Sequence, residues 1–316
     1  MSRYVVTGGA GFIGSTLVRE LLEQPGAEVA VIDNYLTGKA SNLDEVAGRV
    51  EMHVADICDY AAIAPVLAKA DAVFHLAAIP SVPRSIHEPI PSHEVNVDGT
   101  FNVLRAAVEG KAKRLVFAAS SSAYGDTPTL PKVESMAPSP KSPYAAQKLM
   151  GEYYISVFHQ CFGLDAVALR FFNVYGPRQD PSSPYSGVIS IFLRCLVEGT
   201  SPTIYGDGEQ TRDFTYVEDV ARLCIKAARA ESVGGRVFNA GNGGRFSLNE
   251  VWRTLNAMEG LAIAAQYGPA REGDVRDSMA CTKLAVEHLG HAPEFTLEEG
   301  LRRTLAWYKS EHAAAL

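Results

Sequence analysis

The chain is predicted to fold as an α/β protein, a doubly wound parallel sheet followed by a smaller mixed α/β domain. Three observations carry that prediction. Short runs rich in β-branched residues, at 4–7, 29–33, 51–55, 72–77 and 115–119, alternate with longer segments of helical pattern. These runs show little polar alternation, as expected of strands covered by helices on both faces. A cluster of glycines follows the first run directly, where a β-α unit makes its tightest turn.

The first strand leads into Gly8-Gly9-Ala10-Gly11-Phe12-Ile13-Gly14, which opens an amphipathic segment. Glycines at 8, 11 and 14 let the backbone turn sharply and approach a pyrophosphate, which the positive end of the helix stabilises. The second strand ends at Asp33, whose carboxylate can accept hydrogen bonds from both ribose hydroxyls and would repel a 2′-phosphate. No arginine follows at Asn34-Tyr35-Leu36, so NAD is favoured over NADP. The third and fourth strands run into Asp56-Ile57 and Ala77-Ala78, where the adenine and pyrophosphate walls are expected. The fifth presents Ser120-Ser121-Ser122 at its end.

Downstream, Ser142-Pro143 reads as a helix start, with proline in the first turn. Tyr144 and Lys148 then form Y-x-x-x-K, a spacing that places both side chains on one helix face. A tyrosine titrating near pH 10 is a poor base at neutral pH, and nearby positive charge favours its phenolate. With the serine hydroxyls beside it, this is the expected catalytic constellation. Beyond residue 173 the pattern loosens into turn-rich stretches such as Gly176-Pro177-Arg178 and Gly206-Asp207-Gly208. A helix at 214–230 and a strand at 236–241 are read as returning to the first sheet. The expected division is therefore 1–173, with about 211–243 rejoining it, and 174–316.

Composition narrows the function classes. The 316 residues are 47% hydrophobic and 21% charged, ordinary for a globular protein. A formal net charge of −7, with no run of clustered Lys and Arg, argues against nucleic acid as a partner. No apolar run approaches the length of a membrane helix, and the N-terminus runs straight into the glycine turn, so a cytoplasmic protein is expected. Five separated cysteines (Cys58, Cys161, Cys195, Cys224, Cys281) predict neither a disulfide framework nor a zinc site and are expected to be buried thiols. His288 and His291 lack a third ligand, so no metal is expected.

These residues resemble the extended short-chain dehydrogenases/reductases, specifically the NAD-dependent epimerase/dehydratase family and within it the UDP-glucose and UDP-N-acetylglucosamine 4-epimerases. The stretches that carry the resemblance span nearly the whole chain: 7–14, 33–34, 55–57, 75–78, 95–100, 120–125, 142–148, 170–177, 206–220 and 271–278. The resemblance implies a Rossmann-type sheet, an NAD site and a C-terminal nucleotide-sugar domain. It implies that Phe12, Ile13, Gly38, Leu76 and Asn96 join the cofactor site. Tyr144 becomes the base for a sugar hydroxyl, Lys148 lowers its pKa and binds the nicotinamide ribose, and Ser120 bonds the same hydroxyl, a role Ser121 and Ser122 can share. Towards the nucleotide, Asn173, Arg212 and Arg271 are implied on the phosphates, Tyr205 on uracil and Asp274 near the ribose, with Ser81, Val188 and Gln210 also lining the site. A homodimer through segments 93–109 and 144–162 is implied too.

Three departures sharpen the reading. Dehydratases of this superfamily carry an Asp-Glu pair where this chain has Ser121 and Ser122, and a serine cannot replace an acidic catalyst. At the sugar-pocket gate Ser278 stands where epimerases confined to unacetylated sugars carry tyrosine, so UDP-GlcNAc/UDP-GalNAc are expected as substrates alongside UDP-Glc/UDP-Gal. Pro80 occupies a position where galactose epimerases often have lysine. The rival substrate is UDP-glucuronate, kept open by Arg84 and Ser81. A non-catalytic NAD sensor is the alternative from another class, but it would gain nothing from Tyr144 and Lys148.

Overall fold

The computed structural model describes residues 2–180, 187–270 and 275–314. Its centre is a parallel seven-stranded sheet. Strands β1 (Ser2–Thr7), β2 (Ala27–Asp33) and β3 (Val50–Val54) form one wing. On the other side of β1 lie β4 (Ala72–His75), β5 (Leu115–Ser120), β6 (Ala166–Phe171) and finally the strand Val237–Ala240. The winding reverses between β1 and β4, and this switch opens a crevice at the carboxyl ends of the strands. Register places Thr7 beside both Ile32 and His75, so the strand ends converge there.

Each face of the sheet is sealed by its own apolar layer. On one, the helix Phe12–Leu22 and the helix Val217–Arg229 pack Leu17, Leu21, Val220 and Cys224 onto Val6, Val31 and Phe74. On the other, Ile63, Leu104, Ile155 and Phe158 cover Val5, Ile32 and Phe117. A separate core gathers Phe192, Leu193, Trp252 and Leu301 in the C-terminal half, and Phe12 and Ile13 pack against its edge. The glycine turn is thereby held between the sheet and this second core.

The structure adds β6, a strand absent from the five read in sequence; its run Ala-Val-Ala-Leu-Arg-Phe follows the left-handed Gly163 that ends the preceding helix. The fourth strand stops at His75 rather than 77, because the Ala77 amide turns to donate to Thr7 Oγ1 at 3.3 Å and its backbone packs on Gly8. The 93–109 segment is not one regular helix: a π-helical turn, Glu94–Gly99, precedes the α-helix Thr100–Glu109. Cys58 and Cys161 are exposed, contrary to expectation; both lie outside the apolar layers that bury Cys195 and Cys224. No described helix is long and apolar enough to cross a membrane.

Candidate active site

The crevice is a cavity of about 940 Å³ that runs from the β1–β2 ends to β5 and on to Ser278. Its floor is built by glycine. Gly8 has φ +72°, and a Cβ there would sit 2.7 Å from the Ala77 backbone nitrogen. At Gly14 a Cβ would meet the Gly8 carbonyl oxygen at 2.1 Å. Gly11 begins the helix without a side-chain cap, so the first-turn amides are not occupied by a capping side chain. Gly8, Gly11, Phe12, Ile13 and Gly14 all line the cavity. A bare backbone turn, an uncapped helix start and a buried carboxylate at the next strand end fit a dinucleotide.

That carboxylate is Asp33. Its Oδ2 accepts the Ala10 amide at 2.9 Å and its Oδ1 the Tyr35 amide at 2.8 Å. Burial raises its pKa, and the two amides oppose the rise. Each oxygen keeps a further lone pair. Asn34 donates to Asp56 Oδ2 at 2.9 Å, tying the second and third strand ends together, and Gly38, Ile57, Leu76, Ala77 and Ala78 complete this half of the cavity.

Asn96 stands back from the cavity wall. It is 1% exposed. Its amide instead clamps Ile79, accepting from the Ile79 N–H at 2.8 Å and donating to the Ile79 carbonyl at 3.2 Å, with Gln147 Oε1 as a second acceptor at 2.8 Å. Asn96 therefore holds the loop after β4 in place. A buried network that sequence reasoning missed does similar work: Thr100 Oγ1 donates to the Asn96 carbonyl, so it accepts from His75 Nε2, and His75 Nδ1 accepts from Thr7. Burial pushes His75 down to about 3, so the ring is neutral and bridges β1, β4 and the start of the helix Thr100–Glu109. A polar residue ending a buried strand was the available signal.

The reacting end is built on the helix Pro143–Phe162, whose start is capped by Ser142 accepting the Ala145 amide at 3.2 Å. Tyr144 lies in the first turn, its own amide donating to Ser85 Oγ at 3.1 Å. The Ser120 side chain lies beside its hydroxyl and lowers its pKa against the effect of burial. Ser120 Oγ in turn accepts from the Ser122 hydroxyl at 2.8 Å and from the Ser122 amide at 3.2 Å. Ser120, Ser121 and Ser122 all line the cavity with Tyr144. One turn on, Lys148 Nζ donates to the Ala118 carbonyl at 2.8 Å and lies 4.9 Å from the Phe117 ring centroid. Burial pushes Tyr144 up to about 12 and Lys148 down to about 8. Lys148 is buried and Tyr144 half-buried at the wall of the cavity.

Towards the C-terminal half, Ser81, Asn173, Arg212 and Ser278 reach the cavity wall. Arg212 Nη1 is anchored on the carbonyls of Thr211 and Arg276, both at 2.9 Å. Three expected residues stand off it. Gln210 is buried and donates to the Tyr205 carbonyl at 2.6 Å, and Tyr205 lies on the strand Thr203–Tyr205 outside the lining. Val188 opens a helix behind Gly187, which takes the wall position. Arg271 and Asp274 fall outside the described residues. Sequence reasoning also missed Lys39, Arg178 and Asp180 at the cavity rim, where Lys39 pairs with Asp180 at 3.0 Å and Arg178 with Glu45 at 3.2 Å.

The profile of the NAD dependent epimerase/dehydratase family matches residues 4–241. The chain belongs to this family. Its similarity to individual members runs from end to end. It is 38% identical to a UDP-glucose 4-epimerase of Mycolicibacterium smegmatis, over 98% of this chain and 99% of that one. Superposition on a UDP-N-acetylglucosamine 4-epimerase from Methanobrevibacter ruminantium, solved with UDP-N-acetylmuramic acid, gives a TM-score of 0.94 at 39% identity, over 98% and 99% of the two chains. A UDP-glucose 4-epimerase of Thermus thermophilus in complex with NAD gives 0.88 at 37%, over 97% and 99%. The fold of this epimerase/dehydratase family member is accordingly Rossmann-type, and its cofactor is NAD.

Proposed function

We propose that the protein is a UDP-hexose 4-epimerase acting on UDP-GlcNAc/UDP-GalNAc, with UDP-Glc/UDP-Gal as further substrates. The observation that carries the reading is that Tyr144, with Ser120 beside it and Lys148 one turn on, shares one cavity with the glycine turn and Ser278. NAD, when bound, supplies reversible hydride acceptance at the sugar C4. Gly8, Gly11, Gly14, Asp33 and Lys148 are the residues proposed to hold it. Tyr144 takes the O4 proton and later returns it to the opposite epimer, Ser120 orients O4, and Lys148 as a cation favours the phenolate. Arg212 and Asn173 are proposed to grip the diphosphate, leaving the hexose free to present both faces.

Two features of the wall support the choice of substrate. Ser121 and Ser122 put hydroxyls, not carboxyls, beside the sugar, which disfavours loss of water. Ser278 adds little bulk at the gate, leaving volume for an acetamido group. Arg84 reaches the same cavity, where its Nε donates to Glu88 at 2.9 Å. The test is to incubate the protein with UDP-GlcNAc and UDP-Glc separately and follow both C4 epimers by proton NMR. UDP-GalNAc is the expected product, and failure to epimerise either sugar, in protein that holds NAD, overturns the reading.

We also propose that residues 1–173 with 211–243 form the NAD-binding unit and the remainder the nucleotide-sugar unit. A homodimer is proposed through the helices Thr100–Glu109 and Pro143–Phe162, whose outer faces expose Phe101, Met150, Tyr153 and Val157.

A further inference from the structure

One buried amide joins the two walls between which the sugar would sit. Asn239, on the last strand of the sheet, is 0% exposed and lies outside the cavity lining. Its side-chain carbonyl accepts the Tyr124 hydroxyl at 2.6 Å. Tyr124 ends the single 3₁₀ turn Ser121–Tyr124, the turn that follows Ser120 and carries Ser122. The same amide donates at 2.9 Å to the Lys132 carbonyl and at 3.1 Å to the Cys281 carbonyl.

Those two carbonyls belong to segments that hold each other. The Lys132 amide donates to the Met279 carbonyl and the Cys281 amide to the Lys132 carbonyl, both at 2.8 Å. Ser278 precedes this pairing directly, and its amide is fixed on the Thr211 carbonyl at 3.1 Å. Asp213, also 0% exposed, takes the Ala280 amide at 3.0 Å from the other side. The backbone carrying Ser278 is thus placed by buried hydrogen bonds together with a small apolar cluster of Ala280, Tyr124 and Phe172, and among its hydrogen-bond partners named here Asn239 also reaches the serine turn. The Asn239 amide N–H completes the set on Glu134 Oε1 at 2.8 Å. Both side-chain protons and the side-chain oxygen are engaged, which fixes the amide's orientation.

We propose that Asn239 is a positioning residue for substrate selectivity: it sets the distance between the Ser120–Ser122 turn and the Ser278 wall, and so the room for a substituent on the hexose. The proposal rests on the 4-epimerase reading. Sub-ångström control of a pocket wall is enough to discriminate sugars that differ by a few heavy atoms.

Asn239→Asp retains shape and can still accept from Tyr124, but it removes both donors and turns a lone pair towards the Lys132 and Cys281 carbonyls. Asn239→Ser replaces the amide by a single shorter hydroxyl, which cannot hold all three partners, without adding charge. Each is compared with wild type in kcat and KM for UDP-GlcNAc and UDP-Glc, with NAD content and thermal melting measured alongside. The expected result is a shift of about tenfold or more in the ratio of kcat/KM values for the two sugars, carried by KM, with NAD content unchanged. Equal losses on both sugars, an unchanged ratio, or failure of both variants to fold overturns the proposal, because Asn239 would then serve the fold and not the choice of sugar. Wild type that epimerises neither sugar defeats the 4-epimerase reading itself and this inference with it; activity of wild type on either one separates the two failures.

Discussion

Lys148→Met tests the burial of the lysine through stability rather than turnover. Burial lowers Lys148 from 10.5 to about 8, and the side chain is 4% exposed. A base whose folded pKa is depressed costs stability while it is protonated in both states, below the folded value. The cost is relieved as pH rises through 8, where the folded protein releases the proton and the unfolded chain still holds it. At pH 7 this amounts to about 3 kcal/mol, and at pH 9.5 it has fallen to about 1 kcal/mol. Removing the ammonium also forfeits its bond to the Ala118 carbonyl, worth about 1 kcal/mol at either pH. Lys148→Met should therefore be about 2 kcal/mol more stable than wild type at pH 7 and nearly equal to it at pH 9.5. Urea unfolding of cofactor-free protein across that range measures the difference, in which other titrating groups cancel. A difference that stays flat within about 0.5 kcal/mol refutes the reasoning, since no protonation step of Lys148 would then lie between the folded and unfolded values.

Other consequences can be checked as directly. Tyr144→Phe should keep its NAD and fold while epimer formation in the NMR assay falls by about 10²–10⁴; retention of more than a tenth of wild-type turnover would remove Tyr144 as the base. Gly14→Ala places a methyl 2.1 Å from the Gly8 carbonyl oxygen, and NAD released on denaturation should drop to a small fraction of one per chain; full cofactor content would mean that the turn tolerates the shift. Tyr153→Glu sets a charge in the exposed apolar stripe, where Tyr153 is 58% exposed, and should convert a two-chain species into one chain of 34.0 kDa by light scattering. Wild type already single at micromolar concentration would sink the dimer.

The parts of this protein legible in the sequence are those where a local rule acts on neighbouring residues. Gly8 and Gly14 declare themselves because no other side chain fits a turn that folds back on its own carbonyl. Tyr144 and Lys148 are legible because helical spacing alone brings them to one face. Strand β6 was harder, since its apolar run has no polar alternation to separate it from a buried helix. Asn96 illustrates a different limit. Its residue type and neighbourhood suit a cofactor ligand, but whether an amide turns to a cavity or to a backbone carbonyl is decided by a partner, Ile79, 17 residues away. Gln210 fails for the same reason, its donor being spent on Tyr205. Asn239 carried no local motif, and His75 only that of a polar residue ending a buried strand. Their partners come from segments up to 115 residues distant, and only the sheet order that sets Val237–Ala240 beside β6, or β4 beside β1, gives those side chains something to hold. Direct chemical contacts can thus be read from spacing, whereas the groups that aim them depend on topology, and selectivity between closely related sugars is expected to reside in the second kind.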